Sequence, residues 1–398
     1  MNSGEFGLSA GDFRRDSAML NDDRWEAAAL CAREVHSAAV NISQPQYSIG
    51  RGSGVRLEVV EERGCEVIHF FEEATASLIE SRGSAFHIRT PETEATVKLP
   101  LPPARRALSG SRIARRMLRL DKANALFTAD RSAVVLVYQG LIWRYDLRSG
   151  RLEQTGTLRQ SRNVLHGGVA IAPDGRMYFG EYGATGQKHG VPIYMSDGDG
   201  RNWRMIYEFP PGQIMHIHGV FYDPFEGCLW VTTGDFEGEC GLVRCALDFS
   251  SVERLGDGSQ SWRMIRPLFE PDRIVWGMDS QLRTPFLRTL DRATGELAQG
   301  QAFPGPVWYN KQLSDGITLL STGVEPGPAV TTDSAHLYVS GDNQHFQEAA
   351  RTRKDRWPSM FKMGVLAFAD GEQSSSGFAM FGEALEGWDG RACICRLA

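Results

Sequence analysis

The chain has 398 residues, in which 49 Asp and Glu outnumber 43 Lys and Arg, for a formal net charge of −6. A mildly acidic chain lacks the basic excess that holds a nucleic-acid backbone, so nucleic acid is not an expected partner. The 42% hydrophobic and 23% charged content is that of an ordinary globular protein, while 43 Gly, 18 Pro and 20 Phe predict turns between short aromatic strands rather than a helical bundle.

The first fifty residues differ in character from the rest of the chain. Residues 1–20 are predicted to be a flexible N-terminus, or a leader that is later removed, although they lack the apolar stretch of a secretory signal. Residues 21–50 are predicted to be a helix and linker, with Asn21 as N-cap and Asp22 and Asp23 in the first turn. No apolar run reaches membrane-spanning length, so we expect no membrane insertion. Seven cysteines without framework spacing favour a reduced, cytoplasmic setting.

A repeat organises the chain after residue 50. Five segments share an apolar strand, a polar turn and a second strand, with equivalent positions at Ile142, Ile193, Leu242, Leu287 and Leu337. The steps between them are 51, 49, 45 and 50 residues, which is the period of a four-stranded β-propeller blade. Residues 51–398 are therefore predicted to form one all-β domain, a propeller of seven blades, with six as the alternative. The N- and C-terminal strands are expected to share a blade and close the ring.

Two turns in this repeat resemble the Asp-box, or BNR, repeat of sialidase-like propellers. Residues 196–203 read SDGDGRNW, although Gly198 stands where the family has Asp, and a more degenerate copy runs from Ser340 to Phe346. Both copies are in register with the repeat. The resemblance implies a tight hairpin between outer strands with an aromatic side chain packed between blades, and it says little about catalysis.

The innermost strands of a propeller line its central channel, so polar residues at equivalent ends of these strands converge. Three successive inner strands are aligned by the prolines that close them, Pro173, Pro224 and Pro271. The polar residues that this alignment brings into neighbouring blades are Asn163, His166, Gln213, His216, His218, Gln260 and Arg263. His216 and His218 are two residues apart on a strand, so they point to the same side.

The Gln213-x-x-His216-x-His218 pattern resembles the metal site of the oligogalacturonate lyases, seven-bladed propellers whose divalent metal holds a uronate carboxylate. The resemblance implies a divalent metal, Mn, Ca or Zn, bound by His166, Gln213, His216 and His218. His216 or His218 is also a candidate catalytic base. The alternative is that these histidines hydrogen-bond or stack in a sugar site, or are satisfied residues of a polar channel. No nucleotide cofactor is expected.

Acidic residues follow the second strands of three consecutive blades. Glu181, Asp235 and Asp279 occupy these positions, and Glu239 follows Asp235 closely. Glycoside hydrolysis needs paired carboxylates, one as acid and the other as base or nucleophile, so Glu181, Asp235 and Glu239 are catalytic candidates. The alternative is that such residues form turns and bind backbone amides, which we expect for Asp279.

An acidic sugar needs a cationic group to hold it. Arg263 is the candidate, because the strand alignment places it with the histidines and a guanidinium can bind a carboxylate at two points. Gln260, Tyr182 and Asn163 are expected to contact the substrate beside it. The arginine motif near the N-terminus of sialidases is missing, and the basic segment 104–122 is expected to be a solvated blade edge or loop.

Together these features predict a carbohydrate-active enzyme, either a glycoside hydrolase or a polysaccharide lyase. Its expected substrate is an acidic glycan or oligosaccharide bound at the central channel. The alternative is a propeller that binds glycans or serves as a scaffold without catalysis. The sequence does not indicate the sugar, the linkage or the oligomeric state.

Overall fold

The computed structural model describes residues 54–183 and 189–398, which form the seven four-stranded antiparallel sheets of a β-propeller. The predicted all-β fold and its seven blades are thereby confirmed. The predicted segments 1–20 and 21–50, including the helix beginning at Asn21, lie outside the described residues.

The strands follow one another as meanders. The described chain begins with β1 (Leu57–Arg63). Blade 1 then contains β2 (Val67–Glu72), β3 (Ser77–Arg82), β4 (Ala85–Arg89) and β5 (Glu94–Lys98). Blade 2 contains β6 (Ala123–Phe127), β7 (Ala133–Tyr138), β8 (Leu141–Asp146) and β9 (Leu152–Thr157). Blade 3 contains β10 (Val169–Ile171), β11 (Met177–Gly180), β12 (Val191–Ser196) and β13 (Trp203–Phe209).

The second half of the ring repeats this order. Blade 4 contains β14 (His216–Asp223), β15 (Cys228–Gly234), β16 (Gly241–Cys245) and β17 (Val252–Leu255). Blade 5 contains β18 (Leu268–Phe269), β19 (Arg273–Gly277), β20 (Phe286–Asp291) and β21 (Leu297–Ala302). Blade 6 contains β22 (Val307–Gln312), β23 (Thr318–Thr322), β24 (Ser334–Ser340) and β25 (Gln347–Arg353).

Blade 7 joins the two ends of the described chain. Its inner strands are β26 (Val365–Phe368), β27 (Phe378–Glu383) and β28 (Arg391–Leu397), and its outermost strand is β1. The register runs from Leu57 opposite Leu397 to Arg63 opposite Ala392, with an irregularity between Val59 and Glu61. The expected closure by N- and C-terminal strands is present, with one strand from the N-terminal side and three from the C-terminal side.

The repeat alignment is correct to the strand. Its five equivalent positions all lie in the third strand of their blades and are at most 2% exposed: Ile142, Ile193, Leu242, Leu287 and Leu337. Burial is greatest in the middle of a blade, as in β7, where every residue of AVVLVY is buried. The outer strand β17, VERL, is exposed at its first three positions and half-buried at Leu255. Central strands packed on both faces are continuously apolar, whereas outer strands carry the charge.

Both turns that resemble Asp boxes are hairpins between the third and fourth strands of their blades. In blade 3, Trp203 donates through Nε1 to Gly200 O and packs 4.8 Å from the ring of Phe179. In blade 6, one carboxylate oxygen of Asp342 accepts from the hydroxyl of Ser340 and two backbone amides. The local hairpin geometry agrees with the prediction.

The basic segment before blade 2 contains two short helices rather than the expected solvated edge. Helix α1 spans Pro103–Ser109 and helix α2 spans Arg112–Leu118, and they are the only α-helices of the described ranges 54–183 and 189–398. Ser111 caps α2 by accepting from Ala114 N, and Arg119 ends it with φ of 53°. No helix within those ranges is long and apolar enough to cross a membrane.

Three arginines of α2 bind carboxylates of different blades. Arg115 is 3% exposed and places Nη2 2.8 Å from Glu66, which precedes β2. Arg116 pairs with Asp355, which follows β25. Arg112 pairs with Asp389, which lies between β27 and β28. A charged side chain is buried this deeply only when it is paired, and the partners of these arginines are far away in sequence. The prediction of a solvated segment is therefore wrong for Arg115 and Arg116, whereas helix α1 has no buried residue.

Candidate functional site

A cavity of about 180 Å³ lies at one end of the central channel. This is the end at which each blade begins its first strand and finishes its second, as the pairing of His216 with Gly234 shows for blade 4. Five residues predicted from the sequence line it: Asn163, His166, Tyr182, Asp235 and Arg263. The expectation that equivalent strand ends converge on one pocket is met for these five.

Two histidines and an aspartate form the most concentrated group at this site. The Nε2 atoms of His216 and His218 are 3.1 Å apart. Asp235 places one carboxylate oxygen 3.3 Å from His216 Nε2 and the other 3.2 Å from His218 Nε2. Both histidines are buried, and the ring of Tyr182 lies against His216 with centroids 4.4 Å apart. The cluster is thus a compact set of metal-ligating or proton-exchanging groups, which we call the His-His-Asp cluster.

The orientation of His218 is fixed from outside the cluster. Its Nδ1 is 2.7 Å from Met264 O, and a carbonyl oxygen can only accept, so Nδ1 carries the hydrogen and Nε2 faces Asp235. Burial opposes the charged imidazole, but the hydrogen bond and charge of Asp235 outweigh it and raise the pKa of His218. Burial likewise opposes the ionised form of Asp235, but His216 and Arg263 hold the pKa of that carboxyl well below its usual value.

Asp235 reaches the cluster from an unusual backbone conformation. It directly follows β15 and has a backbone φ angle of 148°, a value that residues other than glycine rarely adopt. Gln260 supports the turn by donating its side-chain amide to Asp235 O, and it accepts from the hydroxyl of Ser280. A strained backbone conformation of this kind persists only where the surrounding contacts hold it in place, and such conformations are common at functional sites.

Arg263 is surrounded by protein groups. Its Nη2 is 2.9 Å from Asp235, its Nε is 3.3 Å from Asp279, and its Nη1 is 2.6 Å from the side-chain oxygen of Gln281. The side chain is only 4% exposed, and its Nε makes no hydrogen bond within the described residues. The role of Arg263 as a substrate clamp stays a prediction, and its charge is balanced by Asp235 and Asp279. Asp279, expected to form only a turn, instead pairs with this arginine and lines the cavity.

Two predicted catalytic carboxylates are used by the backbone instead. Glu181 is completely buried and accepts hydrogen bonds from Arg159 N, Gln160 N, Ser161 N and the hydroxyl of Tyr194. Glu239 is 8% exposed and accepts from Met215 N. Neither residue lines the cavity. Gln260, predicted to contact substrate, also does not line it, and its side-chain amide is hydrogen-bonded to Asp235 O and the Ser280 hydroxyl. The structure thus places these three side chains away from the cavity and in contact with neighbouring loops, and their chemical roles stay predictions.

The predicted four-residue metal site is not assembled. Gln213 is exposed on the turn before β14, and its side chain makes no hydrogen bond to the His-His-Asp cluster in the described residues. His166 lines the cavity but binds Phe368 O through Nε2 and packs against Tyr309 and Phe381. The structure instead adds Asp235 to His216 and His218. The strand pattern identified the two histidines but could not show that the third group comes from the adjacent hairpin.

Two further residues of the cavity escaped the sequence reasoning. Glu325 lies three residues after β23 in blade 6, just as Asp235 and Asp279 lie shortly after the second strands of blades 4 and 5. The sequence STGVE carried that signal. Arg119, at the end of α2, lines the cavity and forms no ion pair with another described residue. The other lining cations are paired, Lys122 with Glu383 and Lys362 with Asp121.

The second strands of blades 3 and 5, β11 and β19, end on glycines because the next blade is very close. A Cβ atom on Gly180 would lie 2.5 Å from Ile217, and one on Gly277 would lie 2.5 Å from Val307. A larger residue would therefore not fit at either position without a shift of the neighbouring blade.

No protein-family model matches the chain, and no curated protein matches it. Among solved structures, it is similar to an oligogalacturonate lyase in complex with manganese, at 11% identity over 86% of this chain and 90% of that one, with a TM-score of 0.48. It is also similar to the dihydro-heme d1 dehydrogenase NirN in complex with DHE, at 14% identity over 91% of this chain and 72% of that one, with a TM-score of 0.46. A third similar structure is a putative TolB from Agrobacterium tumefaciens, at 13% identity over 57% of this chain and 80% of that one, with a TM-score of 0.40.

The seven four-stranded sheets define the class of the protein as a seven-bladed β-propeller. The similar structures have different names and functions, and a fold alone does not imply a function. The Asp-box resemblance is not supported by any family match.

Proposed function

We propose that the protein is a divalent-metal-dependent lyase that cleaves a uronate-containing oligosaccharide by β-elimination in the central cavity. The observation that carries this proposal is the His-His-Asp cluster, in which one ligand atom from each of its three residues lies within 4.8 Å of the others. Such convergence of imidazole nitrogens and a carboxylate beside a polar cavity is typical of a metal site.

The donor set fits a transition metal. Two imidazoles and one carboxylate suit Zn²⁺ or Mn²⁺ better than Ca²⁺, which prefers a shell of oxygen ligands. Of the three metals predicted from the sequence, Mn²⁺ and Zn²⁺ are therefore favoured. His218 also donates a hydrogen bond from its other ring nitrogen, Nδ1, to the backbone carbonyl of Met264, as metal-ligating histidines commonly do. When bound, the metal would neutralise the substrate carboxylate and acidify the neighbouring C–H bond.

The chain's own residues then supply binding and proton transfer. Arg119 binds acidic groups of the sugar chain, since it is the lining cation that no other described residue neutralises. His166 takes the C–H proton. Its Nε2 donates to Phe368 O, which leaves the lone pair on Nδ1, and burial lowers its pKa so that the imidazole stays neutral.

Elimination is preferred to hydrolysis because hydrolysis needs two available carboxyl groups. Of the carboxyl groups lining the cavity in the described residues, Asp121 pairs with Lys362 and Glu383 with Lys122, while Asp235 and Asp279 share Arg263. Glu325 alone has no cation within ion-pair distance.

Metal binding is tested directly on the purified protein. The protein is incubated with Mn²⁺ or Zn²⁺, freed of unbound ions by gel filtration, and analysed by mass spectrometry. We expect about one ion per chain, and a loss of at least tenfold in affinity when His216 and His218 are both replaced by alanine. His345→Ala is the matched control, because this histidine is exposed on the blade 6 hairpin. Equal metal content in the double variant and the control would refute the site.

Activity is tested with uronate oligosaccharides of different linkage, following the ultraviolet absorbance of the conjugated double bond that elimination creates. If only saturated products form, the enzyme is a hydrolase rather than a lyase. Binding without turnover by metal-loaded protein would favour the non-catalytic glycan-binding propeller.

A further inference from the structure

Glu325 lies between two cavities. It lines the central cavity and also an open groove of about 620 Å³ beside it. The groove, which we call the outer groove, is formed by the loop after β23 and by the segment that follows β25, including Gly327, Val330, Arg353 and Ser359. An extended ligand that occupies both spaces must pass Glu325.

The Glu325 carboxyl group has no partner at one of its oxygens. Its Oε2 is buried and makes no hydrogen bond within the described residues. The charged groups that face it from the cavity are Asp235, Arg263 and Asp279. Those that line the outer groove with it are Asp333, Arg353, Lys354, Asp355, Arg356 and Glu386. Burial, together with the charge of Asp279 and Asp235, outweighs Arg263 and raises the pKa of Glu325 to about 8.

The outer groove is suited to a sugar chain. It is open and polar, and several of its charges are neutralised within it, as in the pairs Arg353 with Asp333 at 2.8 Å and Lys354 with Asp355 at 3.0 Å. Paired charges present hydrogen-bonding groups without a strong net field.

We propose that Glu325 is the catalytic acid that protonates the leaving oxygen, and that the outer groove holds the leaving portion of the oligosaccharide. This inference rests on the proposed function. As the glycosidic C–O bond breaks, its electron pair moves to the oxygen, which takes the proton of Glu325 and becomes a hydroxyl group. The electron pair of the neighbouring C–H bond becomes the new C=C bond, and its proton passes to His166. Solvent water then returns a proton to Glu325 and removes one from His166.

The acid is tested with Glu325→Gln, which keeps the side-chain shape but cannot donate an acidic proton. On a natural oligouronate we expect kcat/KM to fall by about 10²-fold to 10⁴-fold. On a uronate carrying nitrophenolate as the leaving group, which needs no proton, we expect the rate to remain within about threefold of the parent. Glu296→Gln is the matched control, because this exposed glutamate lies on the turn between β20 and β21.

The pH profile gives a second readout for the same residue. Because the acid must be protonated, kcat/KM of the parent on the oligouronate should fall at alkaline pH, and the Glu325→Gln variant should lack that descending limb. An equal loss on both substrates would assign Glu325 a structural role and overturn the inference. A variant within twofold of the parent on both substrates would also overturn it.

The outer groove is tested with Ser359→Trp, which places a large side chain in it. We expect KM to rise at least tenfold for the oligouronate and to stay unchanged for the nitrophenyl substrate, whose leaving group is small. An unchanged KM for both would remove the groove from the substrate path. If the metal-loaded parent cleaves no uronate at all, the proposed function itself fails, which is distinguishable because that result does not involve either variant.

Discussion

Replacing Arg263 by methionine removes the cation that two buried carboxylates of the cavity share. The substitution keeps most of the aliphatic volume, and the side chain is buried, so the change is mainly electrostatic. Asp235 retains His216 and His218, whereas Asp279, which is 3.3 Å from Arg263 Nε, loses its cation. The variant therefore measures what an unpaired buried carboxylate costs at this site.

The magnitude follows from the buried ion pair that Asp279 loses. Breaking a buried ion pair by removing one partner costs about 3–5 kcal/mol. We therefore expect Arg263→Met to lose about 3–5 kcal/mol in free energy of unfolding at pH 7.

Urea unfolding followed by tryptophan fluorescence at pH 7 measures this loss. Arg283→Met is the matched control, because Arg283 is exposed on the same loop as Asp279 and forms no ion pair with another described residue, so its effect should stay within about 0.5 kcal/mol. A loss below about 1 kcal/mol for Arg263→Met would refute the reasoning.

Two further predictions concern burial and close packing. Burial and the nearby His166 lower the pKa of His69 to about 3 against the opposing charge of Asp370, so the unfolded chain binds the extra proton between about pH 3 and 6.5 and stability falls as the pH drops through that window. Between pH 7 and pH 5 this amounts to about 2 kcal/mol, and His69→Gln should lose correspondingly less over that interval in urea titrations. If the variant loses as much as the parent, His69 is not the titrating group. Gly180→Ala should cost about 1–3 kcal/mol, because its new methyl group meets Ile217 at 2.5 Å. In a double-mutant cycle with Ile217→Ala the two losses should be less than additive by at least about 1 kcal/mol, whereas strict additivity would contradict the close contact.

The fold was predictable because a propeller repeats itself. The period of the apolar third-strand positions identified the blade as the unit, and a strand buried between two neighbours admits few residue types. The same regularity placed Asp235 after a second strand, and it would have found Glu325 had the rule been carried one blade further.

The chemistry of the cavity was less predictable, since a sequence shows which groups are present but not which groups neutralise them. Arg263 has the residue type of a substrate clamp, yet its charge is taken by Asp235 and Asp279 from two other loops. Glu181 has the residue type of a catalytic acid, yet three backbone amides of the preceding loop bind it. Long-range pairing of this kind leaves no local pattern.

The shared seventh blade bears on how the cavity comes into existence during synthesis. Glu58 and Arg396, which pair across that blade, are 338 residues apart, so the blade cannot assemble until almost the whole chain has emerged. Blades 1 to 6 can meander into place as they are made, at about 5–20 residues per second. Lys362 and Glu383, which line the cavity, lie just before β26 and at the end of β27. The cavity therefore takes its described form only once the seventh blade has closed.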